Sequence, residues 1–101
     1  MISSFEKKVY RIVRQIPKGR ITTYKGVAEA INCEGGARAV GNALHKNRDR
    51  SVPCHRVILS NGGVGGYAWG MGRKTAILKK EGIKIQKSRI DMKRFYFQVS
   101  R

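Results

Sequence analysis

Apolar residues recur at helical intervals in the first part of the chain. Ser3 followed by Glu6 matches a capping box, and the next apolar positions lie on one face of a helix until Pro17 and Gly19 interrupt the pattern. That face comprises Phe5, Val9, Ile12, Val13 and Ile16. The pattern predicts a first helix with one buried side.

Two further short helices are predicted over about residues 22–47. Thr22 or Thr23 can cap the second helix, which ends at a turn containing Gly35 and Gly36, and the third begins near Ala37. Two short helices joined by a tight turn are typical of a helix-turn-helix. The third helix has an inner stripe and a separate outer face formed by Arg38, Asn42 and His45. That face either contacts a partner or is simply solvated.

The rest of the chain predicts smaller elements. Residues 56–59 read as a strand, followed by a turn at SNGG, a loop to about residue 70, and a last helix over 73–81 around Ala76 that Gly82 ends. Alternating apolar residues predict a terminal hairpin that pairs residues 83–85 with 95–99, connected by residues 87–93. The fold class is therefore mainly α with small β elements, and we expect one domain over residues 1–101.

The charge balance favours a polyanionic partner. The chain has 101 residues, 22 Lys and Arg against 6 Asp and Glu, and a formal net charge of +16, which is unusual for a metabolic enzyme. Nucleic acid is the first partner to consider, ahead of a membrane surface or plain solubility. The sequence shows no spanning segment and no secretory signal, so we expect an intracellular protein.

The segment VPCHRV places Cys54 beside His55. A thiol acts as a nucleophile when it is a thiolate, and His55, Arg56 and the net charge are expected to lower its pKa. Neighbouring side chains of an extended segment point apart, so a water between Cys54 and His55 is the expected relay. A histidine base needs a carboxylate, and among the six acidic residues Glu81 is the best candidate. A buried, inert cysteine remains the alternative.

Cys33 and Cys54 are expected to be separate thiols. The spacing of Cys33, His45, Cys54 and His55 matches no usual zinc site, so no metal is expected.

The stretch VPCHRVILSNGGVGGYAWG resembles the active-site signature of the O6-alkylguanine-DNA alkyltransferases, or methylated-DNA–protein-cysteine methyltransferases. The resemblance extends from PKGRITTYKGVAEAI through GGARAVGNALHKN to KTAILKKEGI, and covers most of residues 5–85. It implies a winged-helix-like, helix-turn-helix DNA-binding domain of the alkyltransferase type, with an active-site loop at residues 52–70 and no N-terminal domain.

The function implied by the resemblance is a single-turnover DNA repair reaction. Double-stranded DNA is bound through its minor groove, the alkylated guanine is flipped out, and its O6-alkyl group passes irreversibly to Cys54. The resemblance implies a cytoplasmic or nucleoid-associated monomer that needs no cofactor.

Several residue roles follow from the same resemblance. His55 would be the water-mediated base, Glu81 would orient it, and Asn47 would brace the hydrogen-bond network. The implied DNA-binding residues are Arg38 as an intercalating finger, Tyr24 as an aid to flipping, Thr23 and Asn42. The implied substrate pocket comprises Val57, Tyr67, Ala68, Trp69 and Lys74. Trp69 stands where some members have glycine, so methyl is the expected substituent.

Two alternatives remain open. The alkyltransferase-like proteins are similarly short DNA-binding proteins that detect lesions without transfer, and they carry tryptophan at the position of Cys54. A cysteine hydrolase would use the same thiol, base and carboxylate, but it would leave the charge and the helix-turn-helix unexplained.

Overall fold

A computed structural model describes residues 2–101. Helix α1, Ser4–Val13, begins at the predicted capping box: the Ser3 hydroxyl accepts from the Glu6 amide at 3.0 Å, and the Glu6 carboxylate accepts from the Ser3 amide at 2.8 Å. The helix ends at Val13, so the last residue of the apolar pattern, Ile16, lies three residues beyond it. Ile16 is nevertheless buried, so the pattern identified the core correctly.

The two predicted short helices are present. A two-residue strand β1, Thr22–Thr23, leads into α2, Tyr24–Ala30, and a turn connects α2 to α3, Ala37–Lys46. Thr23 caps α2 by accepting from the Gly26 amide at 2.9 Å. Positive φ angles at Asn32 (56°) and Gly35 (72°) allow the tight turn between the helices.

The segment that carries Cys54 is turned rather than extended. Cys54–Arg56 form a 3₁₀ helix, and the strand β2 is limited to Val57–Ile58. The expected extended geometry of Cys54 and His55 is therefore wrong. β2 pairs in parallel with β1, in the register Thr22 to Val57 and Thr23 to Ile58, so long-range pairing determines where the strand begins.

Helix α4, Met71–Lys80, starts two residues before the predicted position and ends at Glu81, followed by Gly82 with φ 96°. Its buried face carries Lys74 and Leu78, whereas Ala76 is exposed. The prediction of a helix was correct, and of the apolar residues around which it was predicted Leu78 is fully buried.

The terminal hairpin pairs different residues from those predicted. Strand β3, Ile85–Gln86, pairs in antiparallel register with β4, Arg89–Ile90, and the helix α5, Met92–Phe95, follows. Lys87 and Ser88 close the turn with φ angles of 52° and 62°, as a two-residue hairpin turn requires. Asp91 then caps α5 by accepting from the Lys93 amide, and the residues after α5 pair with Ile21, so residues 95–99 do not return as the partner strand.

The core consists of two apolar clusters that meet at β2. Helices α1, α2 and α3 enclose the first cluster, and the second lies between α4 and the terminal hairpin. Val57 belongs to the first cluster and Ile58 to the second, because successive side chains of a strand point to opposite faces. The 3₁₀ turn with Cys54 is therefore held directly before the junction of the two clusters.

The fold class agrees with the sequence prediction: the chain is mostly helical with a few short strands. None of the helices within residues 2–101 is long and apolar enough to cross a membrane.

Candidate functional site

A cavity of about 620 Å³ lies between the helix-turn-helix and the loop that follows β2. Helix α2 contributes Tyr24, α3 contributes Arg38 and Asn42, and the loop contributes Tyr67 and Ala68. Cys54 also lines the cavity, and it is 4% exposed. The structure thus brings the predicted thiol together with two of the predicted DNA-binding side chains on α3.

Asn47 connects the end of α3 to the thiol. Its side-chain amide nitrogen donates to the Cys54 Sγ at 3.7 Å and to the Asp49 carbonyl at 3.0 Å, while its oxygen accepts from the Asp49 amide. Asn47 is 3% exposed, so these bonds are not in competition with solvent. The arrangement holds the loop at residues 47–54 and aims a donor at the sulfur.

Burial raises the pKa of the Cys54 thiol, although the hydrogen bond from Asn47 and the charge of Lys74 act in the opposite direction. The expectation that its neighbours would lower this pKa is therefore wrong. Arg56 is turned toward Glu81 instead, at 2.6 Å, and the desolvation of the sulfur outweighs the attraction of the nearby cations. The thiol is protonated at rest.

His55, Glu81 and Arg56 form a hydrogen-bonded cluster behind the thiol. His55 Nε2 lies 3.0 Å from Glu81 Oε2, and Arg56 donates from Nε to Oε1 at 3.0 Å and from Nη2 to Oε2 at 2.6 Å. Because a carboxylate only accepts, Nε2 carries the proton and Nδ1 keeps a free lone pair. Across residues 2–101, no hydrogen bond joins the imidazole to the Cys54 sulfur.

Burial keeps His55 neutral. Burial lowers the pKa of His55, and this effect exceeds the opposing hydrogen bond and charge of Glu81. Burial alone would raise the pKa of Glu81, but its hydrogen bonds with Arg56 and His55 lower it overall. A neutral imidazole beside an ionised carboxylate can accept a proton and be stabilised as a cation.

Lys74 is fully buried beneath the cavity. Its ammonium donates to the Val57 carbonyl at 2.7 Å, to the Gly66 carbonyl at 3.0 Å and to the Tyr24 hydroxyl at 3.3 Å. Burial lowers its pKa to about 8, and burial raises the pKa of Tyr24 to about 12. Lys74 therefore ties α4, β2, the loop and α2 together around the site.

Three of the residues predicted for the pocket lie outside the large cavity. The Val57 side chain is buried in the core, and its carbonyl accepts a hydrogen bond from Lys74. Lys74 is itself fully buried and does not line the cavity. Trp69 lines a second cavity of about 320 Å³ together with Arg50 and Arg73. The guanidinium groups of Arg48 and Arg50 lie 5.8 and 5.9 Å from the centre of the Trp69 ring.

Tyr67 separates the two cavities and lines both. Its ring makes edge contacts with Trp69 and His55, with distances between ring centroids of 5.2 Å and 6.4 Å respectively. The aromatic row thus connects the His55 cluster to Trp69.

The predicted DNA-binding residues divide into two groups. Arg38 and Asn42 are exposed on α3 and line the large cavity with His45. The Thr23 hydroxyl caps α2, and Thr23 is 5% exposed, so its side chain is not at the cavity.

Sequence reasoning missed two sets of residues. Leu59, Ser60 and Gly66 line the large cavity, and Arg56 anchors Glu81. The sequence did contain a signal for the Arg56–Glu81 ion pair: an arginine directly follows the Cys-His pair, and the chain has only six acidic residues that could pair with it.

Both cysteines are free, as predicted. No cluster of three or more His, Cys, Asp or Glu side chains in the part of the chain from residue 2 onward could hold a metal ion.

The fold and the site define a class of protein: a helix-turn-helix domain whose cation-bearing helix borders a cavity with a buried cysteine. The family model for the DNA binding domain of 6-O-methylguanine DNA methyltransferase matches residues 4–83. The chain belongs to this family.

Two curated relatives illustrate the similarity. The chain is 42% identical over 90 residues to a bifunctional methyltransferase/endonuclease of Picrophilus torridus, covering 88% of this chain and 30% of the relative. It is 45% identical over 82 residues to a methylated-DNA–protein-cysteine methyltransferase of Saccharolobus solfataricus, covering 80% and 52%. The chain thus spans about half or less of the length of these relatives.

Two solved structures are similar as well. The crystal structure of Mycobacterium tuberculosis OGT in complex with DNA has a TM-score of 0.75 at 40% identity, covering 78% of this chain and 50% of that one. S. pombe Atl1 in complex with damaged DNA containing O6-carboxymethylguanine has a TM-score of 0.82 at 31% identity, covering 92% and 94%.

Proposed function

We propose that this chain repairs DNA by irreversible transfer of the alkyl group of O6-alkylguanine to Cys54, as a methylated-DNA–protein-cysteine methyltransferase that acts once. The observation that carries the proposal is the position of the Cys54 thiol in the wall of a cavity of about 620 Å³, beside an exposed arginine on the third helix. Membership in the methyltransferase family supports it.

The damaged nucleotide must leave the duplex to reach Cys54 in the cavity. An O6 substituent is shielded within the base stack, and enzymes that react with a base extrude it into a pocket. Arg38 at the cavity rim would fill the gap in the stack, Tyr24 would contact the extruded purine, and Asn42 would contact the DNA nearby. We infer that the helix-turn-helix enters the minor groove and that the protein acts as a monomer.

The proton of the thiol must be removed before transfer, because burial raises the pKa of Cys54. His55 Nδ1 accepts that proton through a water, and the ionised Glu81 stabilises the resulting imidazolium. The sulfur then attacks the alkyl carbon, the S–C bond forms as the C–O6 bond breaks, and the electron pair stays on guanine. Guanine takes up one proton, so the thiol proton is exchanged for the alkyl group overall.

Methyl is the proposed substituent. Trp69 lies outside the large cavity but makes an edge contact with Tyr67, which lines it, and a tryptophan where some family members have glycine favours a small substituent. The proposed setting is the cytoplasm or nucleoid, where the DNA substrate is found.

The experiment is incubation of the protein with a duplex that contains O6-methylguanine, followed by intact and peptide mass spectrometry. We expect a gain of one methyl on Cys54 and an unmodified guanine in the DNA. The Cys54→Ser variant should show no gain, and Cys33→Ser should react like the original chain. An unmodified protein beside a methylated base would contradict the proposal.

A second candidate is a lesion-binding protein without transfer activity. The similarity to S. pombe Atl1 along almost the full length of both chains favours it. Under this alternative, Cys54→Ser binds the methylated duplex as tightly as the original chain does, and neither protein gains mass.

A further inference from the structure

The C-terminal segment after residue 83 lies beyond the region that the family model matches. Residues 84–101 contain six Lys and Arg but one acidic residue, Asp91. Asp91 caps α5, and within residues 2–101 it forms no salt bridge with these cations. The segment therefore adds a concentrated positive charge to the methyltransferase domain.

Three of these cations lie on the β3–β4 hairpin or directly before it. Lys84, Lys87 and Arg89 are all exposed. Within residues 2–101, none of the three has a carboxylate at salt-bridge distance. Solvated cations without acidic neighbours are available to an anionic ligand.

The hairpin is fixed to the wall of the large cavity. The Ile90 amide donates to the Gly62 carbonyl at 2.9 Å, the Val64 amide donates to the Ser88 carbonyl at 3.2 Å, and Arg89 Nη1 donates to the Asn61 carbonyl at 2.9 Å. The same turn begins at Leu59 and Ser60, which line the cavity. The charged hairpin is thus bonded to the turn whose first residues line the cavity.

The hairpin is also held rigidly. Ile90 is 4% exposed and packs in the second apolar cluster, and Lys87 and Ser88 form a two-residue turn. Charges on an ordered hairpin lose less conformational freedom on binding than charges on a flexible tail do.

We propose that this hairpin is a second DNA contact, which binds backbone phosphates next to the nucleotide that enters the cavity. The proposal rests on the proposed function for its partner, duplex DNA, and extends the contact surface beyond α3. Phosphates complement these cations, which have no carboxylate partner in the described part of the chain, and such contacts position the protein without reading sequence.

The test compares two triple variants that remove equal charge. Lys84→Gln/Lys87→Gln/Arg89→Gln alters the hairpin, and Lys7→Gln/Lys8→Gln/Arg11→Gln alters exposed positions of α1 that do not line the cavity. Affinity for an unmodified duplex is measured against salt concentration. The logarithm of the association constant falls linearly with the logarithm of the salt concentration. The steepness of that line should decrease by about 2 to 3 for the hairpin variant, at about 0.9 per lost phosphate contact, and by less than 1 for the control.

A single substitution tests the proposal independently of whether the triple variant folds. Asn tolerates the positive φ of residue 87 better than Lys does, so Lys87→Asn removes the charge while favouring the turn. Its slope should decrease by about 1.

Equal changes of the salt slope in the two triple variants would overturn the proposal. An unchanged salt slope in the hairpin variants would also overturn it, and would indicate that the hairpin binds a different partner, such as an acidic protein. Because the duplex is unmodified, the result does not depend on transfer to Cys54. Failure of methyl transfer would therefore contradict the proposed function without affecting this measurement.

Discussion

His55 and Glu81 are 26 positions apart in the chain, yet their side chains meet at 3.0 Å because α4 ends directly behind the 3₁₀ turn. The Glu81 carboxylate also accepts two hydrogen bonds from Arg56. One carboxylate is thus shared by a neutral imidazole and a permanent cation. Glu81 raises the pKa of His55, whereas the charge of Arg56 lowers it.

This sharing predicts opposite shifts in two variants. Glu81→Gln removes the group that raises the pKa of His55, so that pKa should decrease further below its ordinary value of 6.5. Arg56→Met removes a charge that lowers it, so the pKa should increase. Titration of the imidazole resonances by NMR measures both, with His45 as the second signal in each spectrum. Shifts in the same direction would contradict the described geometry.

The two cysteines should differ in reactivity toward iodoacetamide. Cys54 is buried with a pKa raised above the ordinary 9.0, whereas Cys33 is half-exposed. At pH 7 Cys33 should be modified first, and modification of Cys54 should become appreciable only above pH 9, since the thiolate is the reactive form. Peptide mass spectrometry follows each site, and the unfolded chain in denaturant is the control. Rapid modification of native Cys54 at pH 7 would mean that its thiol is activated at rest.

Arg38 should matter more for repair than for binding. The Arg38 side chain, when it occupies the gap left by the extruded base, offsets part of the cost of unstacking. Arg38→Ala should remove about 1.4 to 2.8 kcal/mol of this stabilisation, which lowers the single-turnover rate about 10- to 100-fold. Lys46→Ala, at the other end of the same helix, should instead decrease the salt slope of binding by about one. Rapid-quench measurement of methyl transfer and titration against salt separate the two effects. Equal effects of both substitutions would argue against the intercalating role.

Two glycines should respond oppositely to substitution by alanine. A Cβ at Gly36 would lie 2.7 Å from the Cys33 carbonyl oxygen, at the start of α3, and backbone cannot move aside easily. Gly36→Ala should therefore decrease the free energy of unfolding by about 1 to 3 kcal/mol. Gly72, within α4, has no atom within 4 Å of the added carbon, so Gly72→Ala should increase the free energy of unfolding by about 0.5 to 1 kcal/mol. Urea denaturation of both variants provides the comparison.

Local features of the sequence determined much of the fold. The Ser3–Glu6 capping box, the start of α3 at Ala37 and the end of α4 before Gly82 were all predicted correctly. Caps and turns depend on residues within four positions of one another, so a single sequence contains them. The VPCHRV segment likewise identified the thiol and the family, and the scarcity of carboxylates identified Glu81 as the partner of His55.

Tertiary structure alone decided the electrostatics of the site. The cations around Cys54 suggested a lowered pKa, but burial raises it, and Arg56 turns to Glu81. Lys74 is fully buried because three acceptors from α2, β2 and the loop converge on its ammonium. Burial and pairing depend on residues distant in the chain, and the pKa of a group depends on both. The sequence thus determined which groups are present, and packing determined their protonation and direction.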